Sequence, residues 1–123
     1  MPEMIIPRST CDKIRSSNSK IRHVGYYDHL GKVLYNSIRP NTKPMAGTEE
    51  MHILNGTVAS TLNLWSPASP LIGKVQAFVM IREKLTALIY PHEKGKYFLI
   101  VLEAGTSLSE IGKIRSSFEK ELE

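Results

Sequence analysis

Cysteine is almost absent from this chain, and long hydrophobic runs are missing. Cys11 is the only cysteine among 123 residues, so no intramolecular disulfide can form, which fits a reducing intracellular compartment. No apolar run approaches the roughly 18 residues that a membrane span needs. The apolar triplet at residues 4–6 is too short for the core of a signal peptide. We therefore expect a cytoplasmic protein with no membrane partner.

Catalytic and phosphate-binding motifs are missing as well. The sequence has no G-x-S-x-G, G-x-x-x-x-G-K-[ST] or G-x-G-x-x-G motif. Cys11 lies in an amphipathic stretch and is expected to be a half-buried apolar residue rather than a nucleophile. The histidines are scattered, and only His23 and His29 could approach each other, across a hairpin. No catalytic, cofactor or metal site is predicted, and an enzyme assembled from distant residues is a minor alternative.

The composition is that of an ordinary globular chain. It is 41% hydrophobic and 23% charged, and its length suits one domain spanning residues 1–123. The net charge of +4 is uneven, with +5 in residues 1–46 and −1 in residues 47–123. The basic residues are either a solvated face or a surface for an acidic or phosphate-bearing partner. The residues of this possible basic partner surface are Arg15, Lys20, Arg22, Lys32, Arg39 and Lys43.

The first third of the chain predicts a short helix followed by a β-hairpin. Residues 8–17 form the helix, with Ser9 as a plausible N-cap. Residues 21–28 and 33–38 are rich in β-branched and aromatic side chains. The turn between them contains Gly31, which can adopt a positive φ.

A second helix is predicted after the proline-containing loop at residues 39–47. Thr48 is a suitable N-cap, and Glu49 and Glu50 lie where the helix dipole favours acidic residues. Those carboxylates would oppose a bound phosphate, so the loop is expected to be structural. The helix ends at Ser66, before a proline. Its apolar stripe is Met51, Leu54, Val58, Leu62 and Trp65.

The last half of the chain predicts three strands and a helix. The strands are residues 74–82, 85–90 and 97–102, each rich in β-branched or aromatic residues. A helix over residues 108–121 follows, introduced by a capping box of Ser107 and Glu110.

These elements predict an α/β fold, a three-layer α/β/α sandwich with the order α-β-β-α-β-β-β-α. The crossover helix carries the chain to the far edge of a mostly antiparallel five-stranded sheet, so its strand order is 2-1-5-4-3. Residues 97–102 (YFLIVL) are apolar at successive positions, as expected for a central strand covered on both faces. The middle helix covers one face and the terminal helices cover the other.

The third strand is a predicted self-association edge. Residues 78–81 are continuously apolar, with charges only at Lys74 and Arg82. An unprotected apolar edge invites pairing with another chain, so we expect antiparallel pairing with a second copy across a two-fold axis. The alternative is that the loop at residues 66–73 covers the edge. The predicted interface is Val75, Ala77, Val79 and Ile81, with Asn55 and Ala59 on the exposed side of the middle helix.

The element order and strand order resemble the roadblock (dynein light chain) superfamily, which is related to profilin-like folds. The resemblance covers the whole chain and implies a homodimer or heterodimer built from the third strand and the middle helix. It also implies a scaffold or regulator for a small GTPase. Residues 20–25 (KIRHVG), Gly31–Lys32, Arg39, residues 43–44 and Glu49–Glu50 further resemble a group of small proteins from ammonia-oxidising archaea, a likeness that carries no site.

Two other functions remain open from the sequence. Profilin-like and PAS-type plans can open a pocket between sheet and helix, which would suit a small-ligand sensor. Nucleic-acid binding is the weaker alternative, because the basic residues of the first hairpin accompany Tyr26, Tyr27 and Tyr35.

Overall fold

A computed structural model describes residues 7–43 and 47–122. The apolar triplet at residues 4–6 and the Pro44 position of the archaeal likeness lie outside these residues. The described residues form four α-helices and five strands. In chain order they are α1 (Pro7–Ser16), β1 (Ile21–Tyr27), β2 (Val33–Ile38), α2 (Thr48–Trp65), α3 (Ser69–Ile72), β3 (Phe78–Ile81), β4 (Leu85–Pro91), β5 (Tyr97–Glu103) and α4 (Leu108–Glu121).

The five strands form one sheet in the order β2-β1-β5-β4-β3. Each neighbouring pair is antiparallel. The predicted strand order is therefore confirmed, with β2 and β3 at the two edges. β5 lies in the centre, as its unbroken apolar run indicated.

A hydrophobic cluster lies on each face of the sheet, which confirms the three-layer α/β/α arrangement. On one face, Cys11 and Ile14 of α1 and Ile114 and Phe118 of α4 pack against Phe98 and its neighbours in the sheet. On the other face, Val58, Ala59 and Leu62 of α2 pack against side chains of β3, β4 and β5.

The hairpin turn between β1 and β2 is held by one aspartate. The Asp28 carboxylate accepts hydrogen bonds from the backbone amides of Leu30 and Lys32, both at 2.9 Å. Gly31 has φ 88°. A Cβ there would lie 2.6 Å from the Asn55 backbone, so the turn packs directly against α2. A glycine is required at this position for both reasons.

The observed helix N-caps agree only partly with the N-caps predicted from the sequence. α1 already begins at Pro7, so Ser9 lies within the helix rather than capping it. α2 begins at Thr48 with Gly47 in the cap position, so the predicted Thr48 cap is wrong. The Ser107 hydroxyl accepts from the Glu110 amide at 3.1 Å, as predicted. The Glu110 carboxylate instead accepts a hydrogen bond from Asn18 at 3.0 Å.

β3 is shorter than predicted, covering Phe78–Ile81 rather than residues 74–82. The cause lies in β4. Extending the observed register, in which Phe78 is opposite Ile89, would place Gln76 opposite Pro91. Pro91 has no backbone N–H to donate at that pair, so the ladder ends two residues earlier.

The face that α2 turns to the sheet matches its predicted apolar stripe only in part, because Val58 and Leu62 pack on the sheet and other members do not. Asn55 and Ala59 are buried, whereas Leu54 and Trp65 of the predicted stripe are exposed. The small side chains let the helix approach closely, and the Tyr97 hydroxyl of β5 reaches the Asn55 carbonyl at 3.0 Å. The larger apolar residues are consequently left on the outside.

Candidate self-association surface

The open edge of β3 is formed by Val79 and Ile81. The Arg82 amide donates to the Leu85 carbonyl at 2.9 Å, which makes that pair a hydrogen-bonded one. Such pairs alternate along an antiparallel ladder, so Val79 and Ile81 occupy the non-bonded pairs opposite Leu88 and Thr86. Their backbone N–H and C=O groups point away from β4. Their side chains are also accessible, with 46% of Val79 and 63% of Ile81 exposed.

The other four predicted interface residues are distributed differently. Val75 and Ala77 are half-buried, and Ala77 packs against the cluster under α1 and α4. Asn55 is 3% exposed and Ala59 is 4% exposed, so both face this chain's own sheet. Their placement on the exposed side of the middle helix is wrong, because that side carries larger residues.

Exposed apolar side chains continue from the β3 edge. An open depression of about 870 Å³ is lined by residues 72–78, which lead into β3, together with Trp65 of α2 and Arg115 of α4. The 66–73 segment ends in α3, whose Leu71 and Ile72 are themselves exposed. The segment therefore adds apolar surface beside the edge rather than covering Val79 and Ile81. The sequence analysis did not predict this additional apolar surface. One signal for it was present, because α2 and α3 contain more apolar residues than a single sheet-facing side of these helices can bury.

Four of the six predicted basic residues lie around Glu103, at the end of the central strand β5. Arg22 and Arg39 each form an ion pair of 2.8 Å with the Glu103 carboxylate. These two arginines hold the pKa of Glu103 below its usual range through hydrogen bonds and charge. Arg22 also donates to the Lys43 carbonyl at 2.9 Å, and the Lys20 carbonyl accepts from the Glu103 amide.

The two remaining basic residues lie away from this cluster. Arg15 on α1 donates to the Ser37 hydroxyl at 3.1 Å. Lys32 is exposed at the start of β2. The six predicted residues thus do not form one continuous patch.

The hairpin tyrosines are unsuited to stacking on nucleic-acid bases. Tyr26 and Tyr27 are buried in the two cores, where Tyr27 stacks on Tyr97 at 5.1 Å between ring centroids. Burial raises the pKa of Tyr26 to about 12. The half-buried Tyr35 donates its hydroxyl to Asp12 at 2.9 Å. The three tyrosines therefore do not support the hypothesis of nucleic-acid binding by base stacking.

His23, His29 and Cys11 each pack or bond within the fold. The His23 ring nitrogen lies 2.8 Å from the Asn36 side-chain oxygen, and His29 packs against Gly95. Cys11 is fully buried. Among residues 7–43 and 47–122, no group of three or more His, Cys, Asp or Glu side chains could hold a metal ion.

A second depression lies between the hairpin turn and the outer face of α2. It measures about 430 Å³, is open to solvent, and is lined by His29, Leu30, Ile53 and small or polar residues of α2. Both depressions are grooves at the surface rather than chambers between sheet and helix, so neither has the form that the ligand-sensor hypothesis expected. Within the described part of the chain, no helix has the length and hydropathy to span a bilayer.

Comparisons with known proteins find likeness in structure alone. No protein-family model matches the chain, and neither does any curated protein. MglB of Myxococcus xanthus superposes with a TM-score of 0.69 at 13% identity, covering 94% of this chain and 89% of that one. Gliding protein MglB of Thermus thermophilus gives 0.70 at 15% identity, with 95% and 88% covered. A Roadblock/LC7 domain from Streptomyces avermitilis gives 0.67 at 8% identity, with 94% and 92% covered.

These identities are too low to carry function, but the superpositions cover nearly the whole of each chain. The chain has the roadblock fold.

Proposed function

We propose that this chain is a non-enzymatic, homodimeric interaction module that acts as a scaffold or regulator for a small GTPase. The single observation that carries the proposal is the open edge of β3. There Val79 and Ile81 present outward backbone groups and exposed aliphatic side chains together. An isolated edge of this kind is normally protected in a monomer.

The backbone geometry restricts how two copies can pair. Only odd-numbered residues of β3 direct their backbone groups outward, so an antiparallel partner must match odd residues with odd residues. The two-fold axis then passes beside Val79, Met80 or Ile81. In the second register, Val79 of one copy lies opposite Ile81 of the other, and four outward N–H and C=O groups per copy are satisfied.

Additional apolar surface adjoins this strand pair. A four-residue strand buries too little area for a stable dimer, which needs roughly 800 Å² per partner. Trp65, Leu71 and Ile72 supply further exposed apolar area beside the segment that enters β3. We infer that the interface extends from β3 over α3 and the end of α2.

The regulatory part of the proposal follows from the roadblock fold. The family resemblance implies a dimeric platform for a small GTPase, and two solved structures with this fold are MglB proteins, one of them described as a gliding protein. A related MglB structure has a tetrameric arrangement. These facts support a small GTPase as the class of partner.

A proline at position 79 tests the dimer without damaging the chain's own sheet. The Val79 amide makes no bond to β4, so Val79→Pro removes only a donor that a second copy would use. We expect sedimentation equilibrium to show dimerisation weakened at least tenfold, about 1.4 kcal/mol or more. Asn36→Pro on the opposite edge is the matched control and should leave the dimer intact. A dimer unaffected by Val79→Pro would refute pairing at β3.

The GTPase role needs a separate measurement. The wild-type chain is used to capture proteins from its own cell extract, and any small GTPase identified is purified and loaded with GDP or a non-hydrolysable GTP analogue. We expect nucleotide-dependent binding or a changed hydrolysis rate in the reconstituted mixture. Binding that is absent in both nucleotide states would contradict this role and leave the dimer result standing.

A further inference from the structure

The second edge of the sheet, at β2, also directs backbone groups outward. The Arg39 amide donates to the Arg22 carbonyl at 2.9 Å, which makes this pair a hydrogen-bonded one. By alternation, Ser37 and Tyr35 bond to β1, while Asn36 and Ile38 lie in non-bonded pairs opposite Gly25 and His23. The N–H and C=O groups of Asn36 and Ile38 therefore face away from the sheet.

The side chains along this edge are uncharged and accessible. Leu34 is 47% exposed and Ile38 is 57% exposed, and Asn36 between them is exposed as well. Edge strands are commonly protected by charged side chains, prolines or bulges. β2 has a register shift near Leu34, which disturbs its first half only, so Asn36 and Ile38 remain in a regular ladder.

Positive charge is concentrated at one end of the same edge. Where β2 begins, the exposed Lys32 lies close to the Asp28 carboxylate, which offsets its charge. Where β2 ends, Arg22 and Arg39 share the single carboxylate of Glu103, which leaves one uncompensated positive charge. Lys43 is exposed, and its carbonyl accepts a hydrogen bond from Arg22.

The face of β2 that packs on α1 also carries positive charge beside this edge. The Arg8 guanidinium lies 5.3 Å from the centre of the Tyr35 ring, and Arg15 bonds to Ser37. Asp12, whose carboxylate accepts a hydrogen bond from the Tyr35 hydroxyl, is the acidic residue in this group. The edge is thus an uncharged strand with a basic end beyond Ile38 and basic residues on its α1 side.

We propose that the β2 edge binds an extended, acidic segment of a partner protein, which adds to the sheet as a sixth strand. Backbone bonds to Asn36 and Ile38 supply affinity in this mode of recognition, and alternate side chains supply specificity. The charge pattern selects a segment with aliphatic or small residues in its middle and acidic residues at the end that lies beside Arg22 and Arg39. A span of about six residues, roughly 20 Å, matches the length of β2.

This site is independent of the proposed dimer. β2 and β3 are the two outer strands of one sheet, so a segment bound at β2 leaves the β3 edge free. The site would also bring a partner to the side of the dimer away from its two-fold axis.

The probe is a fluorescein-labelled peptide, acetyl-Glu-Glu-Val-Thr-Val-Thr-Glu-Glu-amide, and binding is followed by fluorescence anisotropy. We expect saturable binding that weakens with salt, because the charges are exposed. The same peptide with lysine in place of glutamate should bind at least tenfold more weakly. Amide hydrogen exchange at Asn36 and Ile38 should slow when the acidic peptide is bound.

Two prolines test the contact directly. Asn36→Pro should reduce affinity roughly tenfold or more, equivalent to about 1.4 kcal/mol, whereas Val79→Pro should leave it unchanged. Because the Asn36 side chain also contacts His23, Ile38→Pro is a second variant that retains this contact. Circular dichroism and urea unfolding confirm that each variant is folded.

Several results would overturn the proposal. These are equal binding of the lysine peptide, no binding at high micromolar peptide, or loss of binding in Val79→Pro but not in either β2 variant. A higher oligomer of the wild-type chain that Asn36→Pro abolishes would show that a second copy occupies the edge instead. Displacement of the peptide by single-stranded nucleic acid at lower concentration than by unlabelled peptide would reassign the surface to nucleic acid.

Discussion

The Tyr97 hydroxyl donates a hydrogen bond of 3.0 Å to the backbone carbonyl of Asn55, in the buried layer between β5 and α2. Asn55 belongs to the helix and Tyr97 to the sheet, so this bond links the central strand to the helix that covers it. The ring of Tyr97 also stacks on Tyr27, and burial raises the pKa of the Tyr97 hydroxyl well above its usual value.

Replacing Tyr97 with phenylalanine should therefore destabilise the fold. Tyr97→Phe removes one buried hydrogen bond and keeps the ring, so we expect a loss of about 1 kcal/mol in the free energy of unfolding, measured with urea. Tyr90→Phe is the matched control, since the buried Tyr90 hydroxyl makes no hydrogen bond within 3.5 Å among the described residues, although it lies close enough to Arg115 for that charge to act on its pKa. That variant should be neutral or slightly stabilising. Equal losses in the two variants would show that the Tyr97–Asn55 bond contributes nothing specific.

Two glycines should respond to alanine in opposite directions. A Cβ on Gly25 would lie 2.5 Å from the Tyr27 hydroxyl and 2.6 Å from its ring. Gly25→Ala must displace that ring from its stack on Tyr97, at a cost of about 2 kcal/mol or more. A Cβ on Gly56 in α2 meets no atom within 4 Å, so Gly56→Ala should stabilise the helix by about 0.5–1 kcal/mol. Thermal unfolding of both variants checks this, and a stable Gly25→Ala protein would contradict the packing of Tyr27.

Stability should fall between about pH 7.5 and pH 5 because of two histidines. Partial burial lowers the pKa of His92 below 6.5, with Lys96 adding to the shift and Glu93 opposing it. Burial likewise lowers the pKa of His23 below 6.5, opposed by its hydrogen bond with Asn36. The unfolded chain therefore binds more protons than the folded chain in this range, and acidification favours unfolding.

The histidine effect can be separated from that of the carboxyl groups. Asp12, Asp28 and Glu103 have pKa values lowered from 3.8, 3.8 and 4.5, so their stabilising contributions are lost only at more acidic pH. A double variant of His23→Gln and His92→Gln should flatten the urea-derived stability profile above about pH 5. An unchanged slope in the double variant would assign the pH dependence to other groups.

Cys11 should resist thiol reagents as long as the chain is folded. Burial, helped by the charge of Asp12, raises the pKa of the Cys11 thiol to about 12, and only the thiolate reacts. With Ellman's reagent we expect one equivalent to react at once in denaturant and slowly, at the rate of unfolding, in native buffer. Immediate reaction in native buffer would contradict the burial of α1 against the sheet.

Local signals explain which parts of the fold the sequence predicted correctly. Ser107, Gly31 and the unbroken apolar run of β5 each specify their element within a few residues, and all three predictions were confirmed. The length of β3 depends instead on Pro91, a residue on the neighbouring strand. No pattern within residues 74–82 contains that information.

The candidate surfaces were predictable only in part for a similar reason. The apolar run of β3 identified Val79 and Ile81, but the burial of Asn55 and Ala59 depends on how closely α2 approaches the sheet. The basic residues were visible in the sequence. Their distribution depends on Glu103, which pairs with two of them from the end of β5.

The mass of the wild-type chain in solution tests the central claim most directly. Light scattering after size exclusion, over a range of protein concentrations, should give twice the chain mass of 13.8 kDa, falling toward the single-chain value only on strong dilution. A mass of one chain at every concentration up to about 100 micromolar, which implies a Kd too weak for a dimer of standard interface area, would contradict pairing through Val79 and Ile81 and with it the proposed function.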